Sequence, residues 1–85
     1  MQVLIPTSLQ SYTRVSRVEA VGATLGEVLA DLERQFPGMR FRMVDEQDRL
    51  RPHMRVFVNG QALHDLALPL QPGHDVNIVQ ALSGG

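Results

Sequence analysis

An α+β roll, a mixed sheet wrapped around one main helix, is the fold class this sequence predicts. Three observations carry the expectation. Short apolar segments near the two ends, Met1–Ile5 and Val76–Ala81, read as strands. A single stretch, Leu25–Phe36, repeats its apolar residues at helical spacing. Asn59-Gly60, between Arg55–Val58 and Gln61–Leu63, is a two-residue hairpin signal. The order is β-β-α-β-β-β, with no internal repeat, and an α+β roll suits a first hairpin, one helix and returning strands.

Each element has its own warrant. Met1–Ile5 is closed by Pro6, which cannot donate to a ladder. Pro6–Thr13 is polar enough for a hairpin loop. Arg14–Val21 alternates and ends at Gly22, giving a second strand with Val15 among the inward residues. Thr24 followed by Glu27 is a capping-box pattern. Leu25, Val28, Leu29, Leu32 and Phe36 then form one stripe until Pro37-Gly38 stops the helix. Gly26 in the first turn costs about 1 kcal/mol against alanine. Met39–Val44 is short and mixed, and Asp45–Asp48 is an acidic turn. Pro72-Gly73-His74-Asp75 is a turn that feeds the last strand. The inward set expected from alternation and the helix stripe is Val3, Ile5, Val15, Val28, Leu29, Leu32, Val56, Val58, Val76 and Ile78.

Composition narrows the function classes. Eighty-five residues make one domain with a modest core. Apolar content of 44%, charged content of 20% and a net charge of −1 describe an ordinary globular chain. No basic stripe is present, so nucleic-acid binding is not expected. The absence of cysteine removes disulfides, thiol catalysis and thiolate metal sites. No cationic leader and no run of about 20 apolar residues occurs, so neither export nor a membrane partner is expected, and the cytoplasm is the default.

Catalytic motifs are missing. No P-loop, dinucleotide fingerprint, HExxH or nucleophile elbow occurs. His64-Asp65 and His74-Asp75 each sit beside a turn, where Asp is a common turn residue. His53, His64 and His74 have no partner four residues away, so no zinc site is expected. Asp45, Glu46 and Asp48 lack EF-hand spacing and read as a solvated turn. One helix in so short a chain leaves little room for a dry cleft, so the chain is not expected to be an enzyme.

The sequence closes on Leu82-Ser83-Gly84-Gly85 directly after the last strand. Glycine-rich termini are often simply flexible. Another reading is chemical. Four extended residues reach at most about 13–14 Å, enough to enter a partner's narrow site. Glycines let backbone pass where a side chain would clash. A terminal carboxylate is a poor electrophile until another enzyme activates it. On this reading residues 1–81 are the domain and 82–85 its flexible tail.

The helix "TLGEVLADLERQFPG", the strand-turn "VFVNG", the approach "PLQPGHDVNIV" and the Gly84-Gly85 end together resemble the ubiquitin-like sulfur carriers, the MoaD/ThiS-like family. The resemblance covers nearly the whole chain. It implies a ubiquitin-like β-grasp with four to five strands around one main helix. It also implies a protein co-substrate with no bound cofactor. An ATP-dependent activating enzyme would adenylate Gly85, with Gly84 beside it, and sulfide or a persulfide would convert it to a thiocarboxylate. "IPT-x-L" and "TLGEVLADLE" look closest to the cysteine-biosynthesis (CysO-like) branch. There the partners are a pyridoxal-phosphate (PLP) cysteine synthase and a zinc metalloprotease. The small subunit of molybdopterin synthase, with its large subunit as partner, is the alternative, and an interaction module whose tail does no chemistry is another.

Alternation also places Leu4, Phe57 and Val79 outward on three strands. An apolar outward trio beside a reactive tail is expected to dock partners, together with Ala81, Leu82 and Ser83.

Overall fold

The computed structural model describes residues 1–71 and 73–81. Eight elements run in order: β1 (Gln2–Leu4), α1 (Gln10–Thr13, entered through a 3-10 turn at Thr7–Leu9), β2 (Arg17–Glu19), α2 (Leu25–Gln35), α3 (Met39–Met43), β3 (Met54–Val58), β4 (Gln61–Leu63) and β5 (Val76–Gln80). The five strands form one mixed sheet in the order β2-β1-β5-β3-β4.

Register puts the two terminal strands at the centre. β1 and β5 are parallel, with Val3 beside Val76 and Leu4 beside Asn77. β5 pairs antiparallel with β3 from Met54–Gln80 through Val58–Val76. β1 pairs antiparallel with β2, and β3 with the edge strand β4. Asn59 (φ 52°) and Gly60 (φ 80°) both take positive φ, as a tight primed hairpin requires.

α2 lies across one face of the sheet. Leu25, Val28, Leu29 and Leu32 are fully buried and pack on Val3, Ile5, Val56, Val58, Val76 and Ile78. Thr24 caps the helix: its Oγ1 accepts from the Glu27 N–H at 3.2 Å. Glu27 answers through its carboxylate to the Thr24 hydroxyl at 3.2 Å, so the capping box closes side chain to side chain. The glycine in the first turn has a packing reason. The Gly26 N–H donates to the Leu66 carbonyl at 2.8 Å, and a Cβ there would lie 3.2 Å from that oxygen.

Three expectations need correction. The segment Pro6–Thr13 is a 3-10 turn running into α1, not a hairpin loop. Leu9 makes it so, because it is buried beneath the turn. β2 is shorter than Arg14–Val21, and Val15 is 51% exposed, while Val18 and Ala20 are the inward pair. Arg14 adopts φ 66°, and Thr13 binds the Val15 carbonyl through its hydroxyl at 2.6 Å. That local turn places Val15 before the strand begins. Met39–Met43 is a helix whose buried Met39 and Met43, four residues apart, complete the core.

The turn readings have structural partners. The Asp45 carboxylate accepts from the Gln47 and Arg49 N–H groups at 2.9 and 3.0 Å. Asp65 accepts from the Ala67 N–H at 2.9 Å. Among the described residues no group of three His, Cys, Asp or Glu side chains is placed to hold a metal, and no helix is long and apolar enough to cross a membrane.

Candidate functional site

β5 brings the chain to the rim of the sheet. The Ala81 N–H donates to the His53 carbonyl at 2.7 Å, which extends the β3–β5 ladder one pair past Met54–Gln80. Because β1 runs parallel to β5, the segment that follows β1 arrives at this same rim. Pro6, Thr7 and Ser8 face Asn77, Val79, Gln80 and Ala81 across an open groove of about 560 Å³. The Ser8 hydroxyl donates to the side-chain oxygen of Gln80 across it. Ala81 is half-buried in the groove wall. Leu82, Ser83, Gly84 and Gly85 lie outside the described residues.

The face of the sheet turned away from α2 carries the outward trio. Leu4, Phe57 and Val79 are each half-buried. Pairing aligns Arg17, Leu4, Asn77, Phe57 and Ala62 in one row across five strands. Asn77 thus stands between Leu4 and Phe57, and Val79 is opposite Arg55. The surface is apolar patches divided by one amide and bordered by guanidinium groups. Arg55 is held at the rim: its Nη1 donates to the carbonyls of Pro52 and, at 3.0 Å, Met54.

Sequence reasoning missed Pro6–Ser8, Asn77, Gln80 and Arg55 as neighbours of the tail exit. Their proximity follows from the parallel β1–β5 pairing, and alternation within a single strand carries no signal for that.

Electrostatic perturbation lies elsewhere. Hydrogen bonding from Arg34, then from the Val21 N–H, lowers the Asp31 pKa. The Gly38 and Arg40 N–H groups lower that of Glu33, and the Arg49 N–H, ahead of Gln47, lowers that of Asp45. None of the three lines the groove.

The sequence profile of the ThiS family matches residues 3–85. The chain belongs to the ThiS family. Within it, the sulfur carrier protein CysO of Mycobacterium tuberculosis is 34% identical over 89 residues, spanning 98% of this chain and 96% of the relative. Its crystal structure superposes with a TM-score of 0.89 at 32% identity, covering 95% of this chain and 98% of that one. A chain in the crystal structure of the Amycolatopsis orientalis BexX/CysO complex also gives a TM-score of 0.89, at 33% identity, covering 99% and 98%. The small archaeal modifier protein 3 of Haloferax volcanii is 32% identical over 66 residues, 74% of this chain and 71% of its own length. The fold is therefore the ubiquitin-like β-grasp of the ThiS family, with five strands and three helices among the described residues, and the chain is a homologue of a sulfur carrier protein.

Proposed function

We propose that this chain carries sulfur as a thiocarboxylate on Gly85 and donates it in cysteine biosynthesis. The observation that carries the reading is the family match, which runs through Gly84 and Gly85, combined with near full-length identity to a sulfur carrier. The chemistry balances in two steps on the terminal carboxyl group. A carboxylate oxygen attacks the α-phosphorus of ATP on an activating enzyme, and pyrophosphate leaves. Sulfide then attacks the acyl carbon and AMP leaves. A persulfide serves equally if a thiol afterwards cleaves its S–S bond. Carboxylate oxygen has been exchanged for sulfur, the better nucleophile.

The thiocarboxylate sulfur would then bond to the β-carbon of an aminoacrylate supplied by a PLP-dependent cysteine synthase. The acyl group would pass from that sulfur to the cysteine amino nitrogen, and a zinc metalloprotease would hydrolyse the resulting amide, freeing cysteine and restoring the Gly85 carboxylate. The chain itself supplies an acyl group and a docking surface, so it acts as co-substrate. Leu4, Phe57, Val79 and Ala81, followed by Leu82 and Ser83, form the proposed contact path toward Gly84 and Gly85. The half-buried outer face and the groove beside Ala81 support this placement.

The test is transfer. Thiocarboxylated chain mixed with a cysteine synthase in its aminoacrylate state is expected to gain one cysteinyl residue at Gly85, located by fragmentation of the C-terminal peptide. Quantitative recovery of unreacted thiocarboxylate with every cysteine synthase of the source genome would refute the cysteine assignment.

A further inference from the structure

All eight cationic side chains of this protein are arginines, at positions 14, 17, 34, 40, 42, 49, 51 and 55, so its 85 residues contain no lysine, and they contain no cysteine. We infer that the chain is built to offer no amine or thiol within reach of its own activated C-terminus, so that an acyl group raised on Gly85 forms no internal amide or thioester and passes to amines and thiols only when a partner supplies them. The inference rests on the carrier reading of Gly85.

An acyl adenylate or thioester is consumed by amines and thiols. A neutral amine attacks the acyl carbon, an N–C bond forms, AMP or the thiol leaves, and the nitrogen loses one proton. A guanidinium remains protonated at any physiological pH and does not attack. Eight arginines therefore supply the cationic surface without supplying a nucleophile.

The fold holds the Met1 amine away from the tail exit. Met1 lies two residues before Val3, and Val3 is level with Val76 in the parallel β1–β5 pair. Ala81 lies five residues beyond Val76. At about 3.3 Å per residue the Met1 nitrogen and Ala81 are about 23 Å apart along the strands. Four residues after Ala81 reach at most about 13–14 Å. The Met1 ammonium is also engaged, with the Ala20 carbonyl at 2.9 Å and Glu19 Oε2 at 3.3 Å. At the tail exit itself, the Ser8 hydroxyl donates a hydrogen bond to the Gln80 side-chain oxygen, and an amide oxygen is no general base that could activate it.

Arg55 is the position where this matters most. It is opposite Val79, two residues before Ala81, hence about 7 Å back along the strand. Its side chain is on the exposed outer face. An amine at this position falls within the span of the tail. A reaction within one molecule gains an effective concentration in the millimolar range.

The experiment uses the full chain prepared as a C-terminal thioester by intein cleavage, so no activating enzyme enters it. Wild type, Arg55→Lys and Arg34→Lys are incubated at mildly alkaline pH and followed by intact mass and peptide mapping. Arg34 is paired with Asp31, whose carboxylate binds the Val21 N–H near the Met1 pole. Wild type and Arg34→Lys are expected only to hydrolyse, without internal amide. Arg55→Lys is expected to lose its thioester about tenfold faster and to yield an internal Lys–Gly85 amide. Equal lifetimes for wild type and Arg55→Lys, or wild-type amide products of any kind, overturn the inference. Failure of an activating enzyme to load sulfur would count against the carrier reading and leave this comparison standing.

Discussion

The Ala81 amide and the His53 carbonyl meet at 2.7 Å, one residue beyond the end of β5 and one before the start of β3. This bond ties the last described residue to the sheet. The four residues that follow start from the rim where the outer face and the Pro6–Ser8 groove converge. On the proposed docking path, a partner that engages Gly85 would meet Val79, Phe57 and Leu4.

Phe57→Ala and Val79→Asp are expected to weaken binding of the activating enzyme and of the sulfur acceptor by tenfold or more, about 1.4 kcal/mol, while changing folding stability less. Both side chains are half-buried on the face away from α2. Titration calorimetry beside urea unfolding of each variant separates the two effects. Unchanged affinity for both partners would remove the outer face from the docking path.

Leu32→Ala is expected to cost about 2–5 kcal/mol, a large share of the stability of so small a domain. Leu32 is fully buried between α2 and the sheet. Urea unfolding measures it, and a loss below about 1 kcal/mol would contradict the packing described.

Gly22→Ala tests a close approach. A Cβ at Gly22 would lie 2.6 Å from the Val28 nitrogen and 2.8 Å from the Glu27 carbonyl carbon, both backbone atoms of α2. Backbone cannot yield as a side-chain tip can, so the variant is expected to lose about 1–3 kcal/mol. A melting temperature equal to that of wild type would show that the approach is looser than this.

Acid should weaken the fold through Asp31, Glu33 and Asp45. Each has its pKa lowered by hydrogen bonds that exist only when folded: Arg34 on Asp31, the Gly38 N–H on Glu33 and the Arg49 N–H on Asp45. Their contribution is complete above the ordinary values of 3.8 for Asp and 4.5 for Glu, and it is lost as pH falls through the lower folded values. The urea midpoint is expected to fall below about pH 4.5, and less steeply in Asp31→Asn. An Asp31→Asn profile parallel to that of wild type would contradict the assignment.

The elements that the sequence made legible are those whose own periodicity decides them. The stripe from Leu25 to Leu32, the Asn59-Gly60 turn and the alternation of Val56-Val58 and Val76-Ile78 all point one way. The departures have tertiary causes. Leu9 turns Pro6–Thr13 into helix because the sheet needs a cover there, and local polarity carries no trace of it. Val15 follows a left-handed Arg14, a conformation alternation cannot anticipate. The Met39–Met43 helix did leave a signal, two methionines four residues apart after Pro37-Gly38. At the site, Leu4, Phe57 and Val79 were legible as outward, whereas Asn77 between them and Arg55 beside them required the strand order.

The central claim, that Gly85 carries the sulfur, is tested most directly by intact mass. The full chain and a Gly85-deleted chain are incubated with ATP, the activating enzyme and a sulfide source. The full chain is expected to gain about 16 Da, oxygen exchanged for sulfur, with the change confined to the C-terminal peptide, and the deleted chain to gain nothing. A full chain of unchanged mass, or a deleted chain that gains the same increment, would contradict the account.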